Sequence, residues 1–290
     1  MLDFIQIIFP PKDYFSNFTK KENLIFYVST FFEDKIKQEQ VRLIYTFYKR
    51  FVNLARNQEE SEFNSLVEKF LDCRDKTSLY QFNVLDGMID DVLIESVIFL
   101  EKELKFDESL IADFLNSEGN LLKKTSFFSF EEFDEYFNFS ATFVTNMVAR
   151  ILDMNKSQAE TFKKLFIAGE VLDFLRKSFL QGYFLNKVIP AEMKNQLGWN
   201  FSGEEILSQA DTAEKLFDYF WSNYSKSLIV NTQSLKLLSS DNKLMFFSFN
   251  HLFLALAQKI TTRPNAIFTV EVNLTWQEIL PIIYKIDKLV

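Results

Sequence analysis

Glycine and proline are scarce in this chain, with 6 and 5 among 290 residues. Tight turns and hairpins depend on these two residues, whereas helix interiors largely exclude them. The chain is also 48% hydrophobic and 17% aromatic, which is enough to fill a large core. We therefore expect long helices and an all-α fold. Because no linker-like tract interrupts the sequence, we expect one domain over residues 1–290.

Apolar residues recur at spacings of three and four along most of the chain, which predicts a series of helices. Ser129 followed by Glu132 is a capping-box pattern that predicts a helix beginning there. Segments 118–126 and 196–210 are expected to be loops, and the alternating tail 265–276 is expected to be extended. The other predicted helices cover 22–33, 37–57, 59–73, 79–105, 156–184, 211–229 and 240–261.

Charge and cysteine content exclude several classes of protein. The net charge of −8 disfavours binding to a nucleic-acid backbone, and no glycine-rich phosphate loop is present. Cys73 is the single cysteine, so an intrachain disulfide is impossible and a reducing compartment is expected. With His251 as the single histidine, a structural zinc site is excluded, and we expect His251 in the core or at its rim rather than as a base. No basic leader and no run of about 18 uncharged apolar residues occurs, so we expect a cytoplasmic protein with at most peripheral membrane contact.

A narrow polar stripe marks the otherwise apolar segment GEVLDFLRKSFLQGYFLNKVIP, residues 169–190. Glu170, Asp173, Lys177 and Gln181 fall within roughly 80° of one another on a helix. The simpler interpretation is a solvent-exposed face with surface ion pairs. The alternative is that the stripe lines a polar cavity inside a helical bundle.

Five segments, in order, resemble the squalene/phytoene synthase family of head-to-head prenyltransferases. The opening helices resemble the family's S-F-Y and Y-A-F-C-R segments, and LDGMIDDV is similar to L-I-x-G-M-x-x-D-L. FDEYFNFSATFV resembles the family's Tyr-containing helix. EVLDFLRKSFLQGYFLNKVIPAEMKNQLGW lies on the second aspartate motif, and FLALAQKI with IFTVEVNLTWQEIL is similar to the closing segments.

The resemblance implies an isoprenoid-synthase-type helical bundle around a central cavity, with the polar stripe facing that cavity. In the family, carboxylates one helical turn apart on two facing helices hold Mg²⁺, which binds the substrate diphosphate. Aromatic walls then protect the allylic cation from water. Three family positions are retained, namely Tyr45, Tyr136 and Arg176.

The metal-binding carboxylates are where this sequence departs from the family pattern. On the second motif helix the expected Asp pair falls on Lys177 and Gln181, while the expected Gln and Asn are Glu170 and Asp173. On the first motif helix, one alignment places the Asp pair at Val52 and Arg56 and the family Arg at Lys49. Shifting by one residue places the pair at Asn53 and Asn57 and matches Arg50 instead. The late family Tyr becomes Phe253.

These substitutions remove the anionic oxygens that Mg²⁺ requires, so no metal cofactor is expected. Two further hypotheses concern charges. Lys177 is expected to form a buried pair with Asp173 or Glu170, and four acids are expected to gather one cation if they share the cavity: Asp86, Asp90, Glu170 and Asp173. The candidate cavity and diphosphate-binding residues are Lys49, Arg50, Asn53, Arg56, Asn57, Asp86, Asp90, Glu170, Asp173, Lys177, Gln181 and Phe253.

Two classes of function are compatible with this pattern. In the first, the protein lacks Mg²⁺-dependent condensation and binds an isoprenoid, lipid or diphosphate directly, or serves as an assembly scaffold for a protein partner. In the second, it is an active prenyltransferase that joins two farnesyl or geranylgeranyl diphosphates and uses Mg²⁺. The high aromatic content also predicts an exposed apolar patch for self-association, a partner subunit or a membrane surface.

Overall fold

The computed structural model describes most of the chain as helices connected by short segments. Within the described ranges there are α-helices and 3₁₀ turns and no strand, so the predicted all-α class is confirmed. The described residues are 32–76, 89–107, 109–124, 126–127, 129–177, 189–196, 210–228, 238–268 and 270–287.

The helices are numbered here in chain order. Two 3₁₀ segments, Ser225–Leu228 and Pro264–Phe268, follow the eighth and ninth helices. The helices are α1 Lys35–Arg56, α2 Glu60–Lys76, α3 Ile89–Glu103, α4 Ser109–Lys123, α5 Phe130–Ile151, α6 Lys156–Arg176, α7 Ala191–Gln196, α8 Ala210–Tyr224, α9 Ser240–Thr262 and α10 Trp276–Asp287.

Side-chain caps define where the long helices begin. The Asp34 carboxylate accepts hydrogen bonds from the first backbone N–H groups of α1. The Ser129 hydroxyl accepts from the Glu132 N–H at 3.3 Å, so the predicted start of α5 is confirmed. Asn155 and Gln158 form a complete capping box at the start of α6. Each cap satisfies backbone donors that the first helical turn leaves without intrahelical partners.

The predicted loop at 118–126 is wrong over most of its length, because α4 continues to Lys123. The segment is polar around Gly119, and glycine is a poor helix former. In the structure, however, Phe114, Leu115 and Leu121 are buried on one side of α4. Their burial favours the helix by more than Gly119 disfavours it.

The predicted extended tail 265–276 is wrong for its first residues and for its last one, whereas residues 270–275 belong to no helix or strand. Its first residues belong to the 3₁₀ segment, and α10 begins at Trp276. Between them, the Val272 N–H donates to the Arg176 carbonyl at 3.1 Å and attaches the tail to the end of α6. Several predictions lie wholly or mainly outside the described residues. They are the helix at 22–33, the start of the helix at 79–105, the loop at 196–210 apart from its two end residues, the end of the helix at 156–184, and the sites Asp86 and Gln181.

Helices α1, α4, α5 and α6 pack together, and α9 packs against α6 and α10. Aromatic rings fill much of the space between them. The ring centroids of Phe47 and Phe51 are 4.8 Å apart, and those of Phe114 and Phe143 are 4.9 Å apart. Such contacts add to the stability that apolar burial provides. The same interior also contains charged side chains of α1, α4 and α6, which form the candidate site.

Gly169 allows the ring of Phe253 on α9 to approach the backbone of α6. A Cβ atom at residue 169 would lie 2.1 Å from the Phe253 ring. We therefore expect Gly169→Ala to lower the free energy of unfolding by about 1–3 kcal/mol, the usual cost of overpacking. Urea denaturation would measure this change.

Gly119→Ala is the matched control, since its Cβ would meet Phe63 at an ordinary 3.5 Å. It should stabilise the protein by up to about 1 kcal/mol through helix propensity. A free energy of unfolding for Gly169→Ala that is no lower than that of the unaltered protein would contradict the packing.

Several apolar side chains face outward. Leu280 and Tyr284, one turn apart on α10, are more than half exposed, and Phe139 on α5 is also exposed. Neighbours at this spacing share one helix face.

His251 is exposed on α9, where its Nδ1 lies 2.9 Å from the Phe247 carbonyl oxygen. Among the described helices, none is long and apolar enough to cross a membrane.

Candidate anion-binding site

Lys49 on α1 stands at the centre of a buried ion network. Its Nζ lies 2.7 Å from Glu170 Oε1 and 3.0 Å from Asp173 Oδ2, both on α6. The amine also lies 5.6 Å from the ring centroids of Tyr45 and Tyr48. One cation therefore joins the two facing helices through two carboxylates and two aromatic rings.

Arg56, two turns further along α1, extends the network. Its Nη2 lies 3.4 Å from Glu170 Oε2, and its guanidinium lies 5.7 Å from the centroid of the Phe137 ring. Both Arg56 and Glu170 are almost completely buried. Glu170 is thus shared between two cations of α1, and this sharing offsets part of the cost of removing all three charges from water.

Arg176 and Lys177 occupy the end of α6 and surround Asp173. Arg176 Nε donates to Asp173 Oδ1 at 2.8 Å, and Lys177 Nζ lies 3.6 Å from Asp173 Oδ2. Burial alone would raise the pKa of Asp173, but Arg176, Lys177 and Lys49 together hold it well below its ordinary value. Asp173 is therefore a permanent anion near neutral pH.

The polar stripe of α6 is not a solvent-exposed face as far as it is described. Glu170 is 3% exposed and Lys177 is 7% exposed, while the Asp173 side chain is 14% exposed. The surface interpretation is therefore wrong for these three residues. The predicted contact between Lys177 and Asp173 is present, but Lys49 approaches the same carboxylate oxygen more closely.

A second buried carboxyl group lies beside this network. The Tyr136 hydroxyl donates to Glu118 Oε2 at 3.0 Å, and the Ser140 hydroxyl donates to the Tyr48 hydroxyl at 3.4 Å. Burial raises the pKa of Glu118 to about 7, although hydrogen bonds from Ser140 and Tyr136 and the charge of Arg56 act in the opposite direction. Glu118 consequently carries only part of a negative charge at neutral pH.

Other candidates lie apart from Lys49 or have ordinary structural roles. Arg50 donates to both carboxylate oxygens of Asp90, at 3.1 and 3.0 Å, whereas Glu170 and Asp173 pair with Lys49. Among the described residues, no three His, Cys, Asp or Glu side chains form a group that could hold a metal ion.

The remaining described candidates lie on α1, at its end, and on α9. Asn53 is half-buried, and Asn57 is exposed, where its side chain donates to Glu59 at 3.0 Å. Phe253 packs on Gly169, next to Glu170 in sequence, and its ring centroid lies 5.1 Å from that of Phe249. Phe253 is thus an apolar neighbour of the network.

Sequence reasoning missed three residues of this site. Glu118 lies in the segment that was predicted as a loop, and its spacing from the buried Phe114 and Leu115 was the signal that could have placed it inside. Glu271 and Asn273 lie in the tail that was predicted as extended. There the side chain of Arg176 donates to Glu271 Oε1 at 2.7 Å and to Asn273 Oδ1.

Comparison with known proteins supports the architecture. No protein-family model and no curated protein sequence matches this chain. The crystal structure of a dehydrosqualene synthase in complex with ligand is similar over 99% of this chain and 98% of that chain, with a TM-score of 0.75 and 14% sequence identity. YisP from Bacillus subtilis subsp. subtilis strain 168 is similar over 87% of this chain and 100% of that chain, with a TM-score of 0.55 and 14% identity. At this level of identity the likeness is one of fold, and the chain has the all-α, isoprenoid-synthase-type fold of dehydrosqualene synthase.

Proposed function

We propose that this protein binds an anionic ligand with an isoprenoid-like apolar chain through buried cations, and that it does not carry out Mg²⁺-dependent head-to-head condensation. One observation carries the proposal. Lys177, and in one of the two alignments Arg56, stand where the resemblance places metal-binding carboxylates, and both cations are buried in the same ion network. Cations at these positions repel Mg²⁺ and attract the anion that Mg²⁺ would otherwise bind.

The buried cations of the network suit an anionic ligand. Ion pairs connect four cations, Lys49, Arg56, Arg176 and Lys177, with three carboxylates, Glu170, Asp173 and Glu271. Arg and Lys side chains bind phosphate and diphosphate groups through charge-assisted hydrogen bonds, so such a group can join these cations as a further anion.

The apolar part of the ligand is inferred from the fold and from the surroundings of the cations. Tyr45 and Tyr48 lie beside the Lys49 amine, and Phe137 lies beside the Arg56 guanidinium. A headgroup held at these cations would be next to aromatic side chains. The structural similarity to a dehydrosqualene synthase supports an isoprenoid as the chain.

Calorimetric titration with farnesyl thiodiphosphate, a non-ionising analogue, tests the proposal. We expect similar affinity in EDTA and in Mg²⁺, and much weaker binding of inorganic pyrophosphate, which lacks the apolar chain. Lys177→Gln should weaken binding of the analogue about tenfold or more, since it removes a charged donor. Lys164→Gln, an exposed lysine on the same helix, is the matched control and should leave the affinity unchanged. Binding that requires Mg²⁺, or equal effects of the two variants, would contradict the proposal.

Turnover is expected to be absent or very weak. Incubation of the purified protein with farnesyl or geranylgeranyl diphosphate, Mg²⁺ and NADPH, followed by extraction and product identification, would measure it. The reason is that neither alignment of the first motif helix supplies a carboxylate pair and the second motif carries Lys177. Formation of squalene, dehydrosqualene or phytoene at ordinary rates would establish the active prenyltransferase instead.

A further inference from the structure

The 270–275 segment, which lies between the second 3₁₀ segment and α10, contacts the ion network through Arg176. Arg176 Nη1 lies 2.7 Å from Glu271 Oε1 and also donates to Asn273 Oδ1, while the Arg176 carbonyl accepts from the Val272 N–H. At its far side, the segment is held by Lys259 Nζ, which donates to the Asn273 carbonyl at 2.8 Å.

The two carboxylates at Arg176 differ in depth. Asp173 binds Nε and Nη2, and its side chain is 14% exposed. Glu271 binds Nη1, and its side chain is 27% exposed, the most exposed of the carboxylates in the network. Asp173 also contacts Lys49 and Lys177. Among the described residues, Glu271 forms an ion pair with Arg176. The Glu271 side of Arg176 is therefore the solvent side of the network, and Glu271 can leave it with less disruption than Asp173.

We propose that the Glu271 carboxylate occupies the edge of Arg176 to which the phosphate group of the ligand binds, and that ligand and Glu271 compete for that edge. The inference rests on the proposed function and adds to it the place where the anion enters. A carboxylate and a phosphate oxygen make the same kind of charge-assisted bond with a guanidinium, so one can replace the other. When the ligand binds, Glu271 moves into water, where its charge is solvated at little cost. The 270–275 segment thereby sets the affinity of the site.

Calorimetric titration of the full chain with inorganic pyrophosphate in EDTA tests this competition. Glu271→Gln should tighten pyrophosphate binding about tenfold, because the competing charge is removed. Asn273→Asp should weaken it by about the same factor, because a second carboxylate then faces Arg176. A gain in affinity distinguishes competition from a purely structural role, since structural damage at the site would lower affinity. If Glu271→Gln fails to fold, Asn273→Asp carries the test together with its free energy of unfolding in urea, because weaker binding without a loss of stability excludes structural damage as the cause.

Glu160→Gln is the matched control, because it removes the same charge from an exposed position on α6 about 24 Å from Arg176. Its affinity for pyrophosphate should equal that of the unaltered protein. An affinity of Glu271→Gln no tighter than that of this control, or no weakening by Asn273→Asp, overturns the inference. If farnesyl thiodiphosphate still binds in EDTA, the proposed function survives that result. If neither ligand binds any of these proteins, both proposals fail.

Discussion

Replacement of Glu170 by Gln is expected to lower the free energy of unfolding by about 3–5 kcal/mol, the typical cost of breaking a buried ion pair. Glu170 is the carboxylate that Lys49 and Arg56 share, and all three side chains are almost completely buried. Glutamine retains the shape but not the charge, so two buried cations lose a counter-ion. Urea denaturation at neutral pH, with linear extrapolation to zero denaturant, would measure the loss.

Asp153→Asn is the matched control for this variant. Asp153 pairs with Lys37 at 2.8 Å, but its side chain is 81% exposed. Asp153 has a φ of 52°, a backbone conformation that asparagine also tolerates. We expect this exposed pair to contribute less than about 1 kcal/mol. Similar losses of unfolding free energy for the two variants would show that the buried ion pairs of Glu170 stabilise the protein no more than the exposed pair of Asp153 does.

The stability of the protein should fall by about 3 kcal/mol as the pH rises from about 5 to 8, because of Glu118. Burial raises the pKa of Glu118 from 4.5 to about 7 in the folded protein. Between these two values the folded state holds a proton that the unfolded state has released. The stabilising effect is therefore complete below pH 4.5 and is lost as the pH rises through 7. The lowered pKa of Asp173 acts in the opposite direction, but only below its ordinary value of 3.8.

Glu118→Gln isolates this contribution, because the amide retains an acceptor for the Tyr136 hydroxyl but does not titrate. The difference in unfolding free energy between pH 5 and pH 8, measured in urea, should largely vanish in this variant. Glu68→Gln, which alters an exposed carboxylate of α2, should leave the difference as it is in the unaltered protein. A pH dependence that persists undiminished in Glu118→Gln would show that other groups are responsible.

Helix periodicity was sufficient to predict much of the described fold. The spacing of apolar residues predicted a helix over 37–57, which corresponds to α1, and the Ser129 cap predicted the start of α5. Periodicity failed at Gly119, where a local helix-breaking signal is outweighed by the burial of neighbouring side chains on α4. Such burial depends on which helices meet, and a single segment of sequence does not contain that information.

Most residues of the site could be predicted from the sequence, but which of them pair with one another could not. Lys49, Glu170, Asp173 and Lys177 could be named from the sequence, because the family resemblance aligns their helices. The closer approach of Lys49 to Asp173 could not be predicted, since it depends on how α1 lies against α6. Glu271 was missed for the same reason, because its role arises when the tail meets the end of α6.

Metal uptake by the liganded protein is the most direct test of the proposal that buried cations take the place of the metal that the family resemblance implies. Mn²⁺ is a suitable substitute for Mg²⁺, because it favours the same oxygen ligands and its free form is measured by electron paramagnetic resonance. The protein saturated with farnesyl thiodiphosphate should bind no more Mn²⁺ than the same concentration of analogue binds in solution. Stoichiometric uptake of Mn²⁺ that needs both protein and analogue would contradict the account, since it would show that the site still holds a metal between carboxylate and diphosphate.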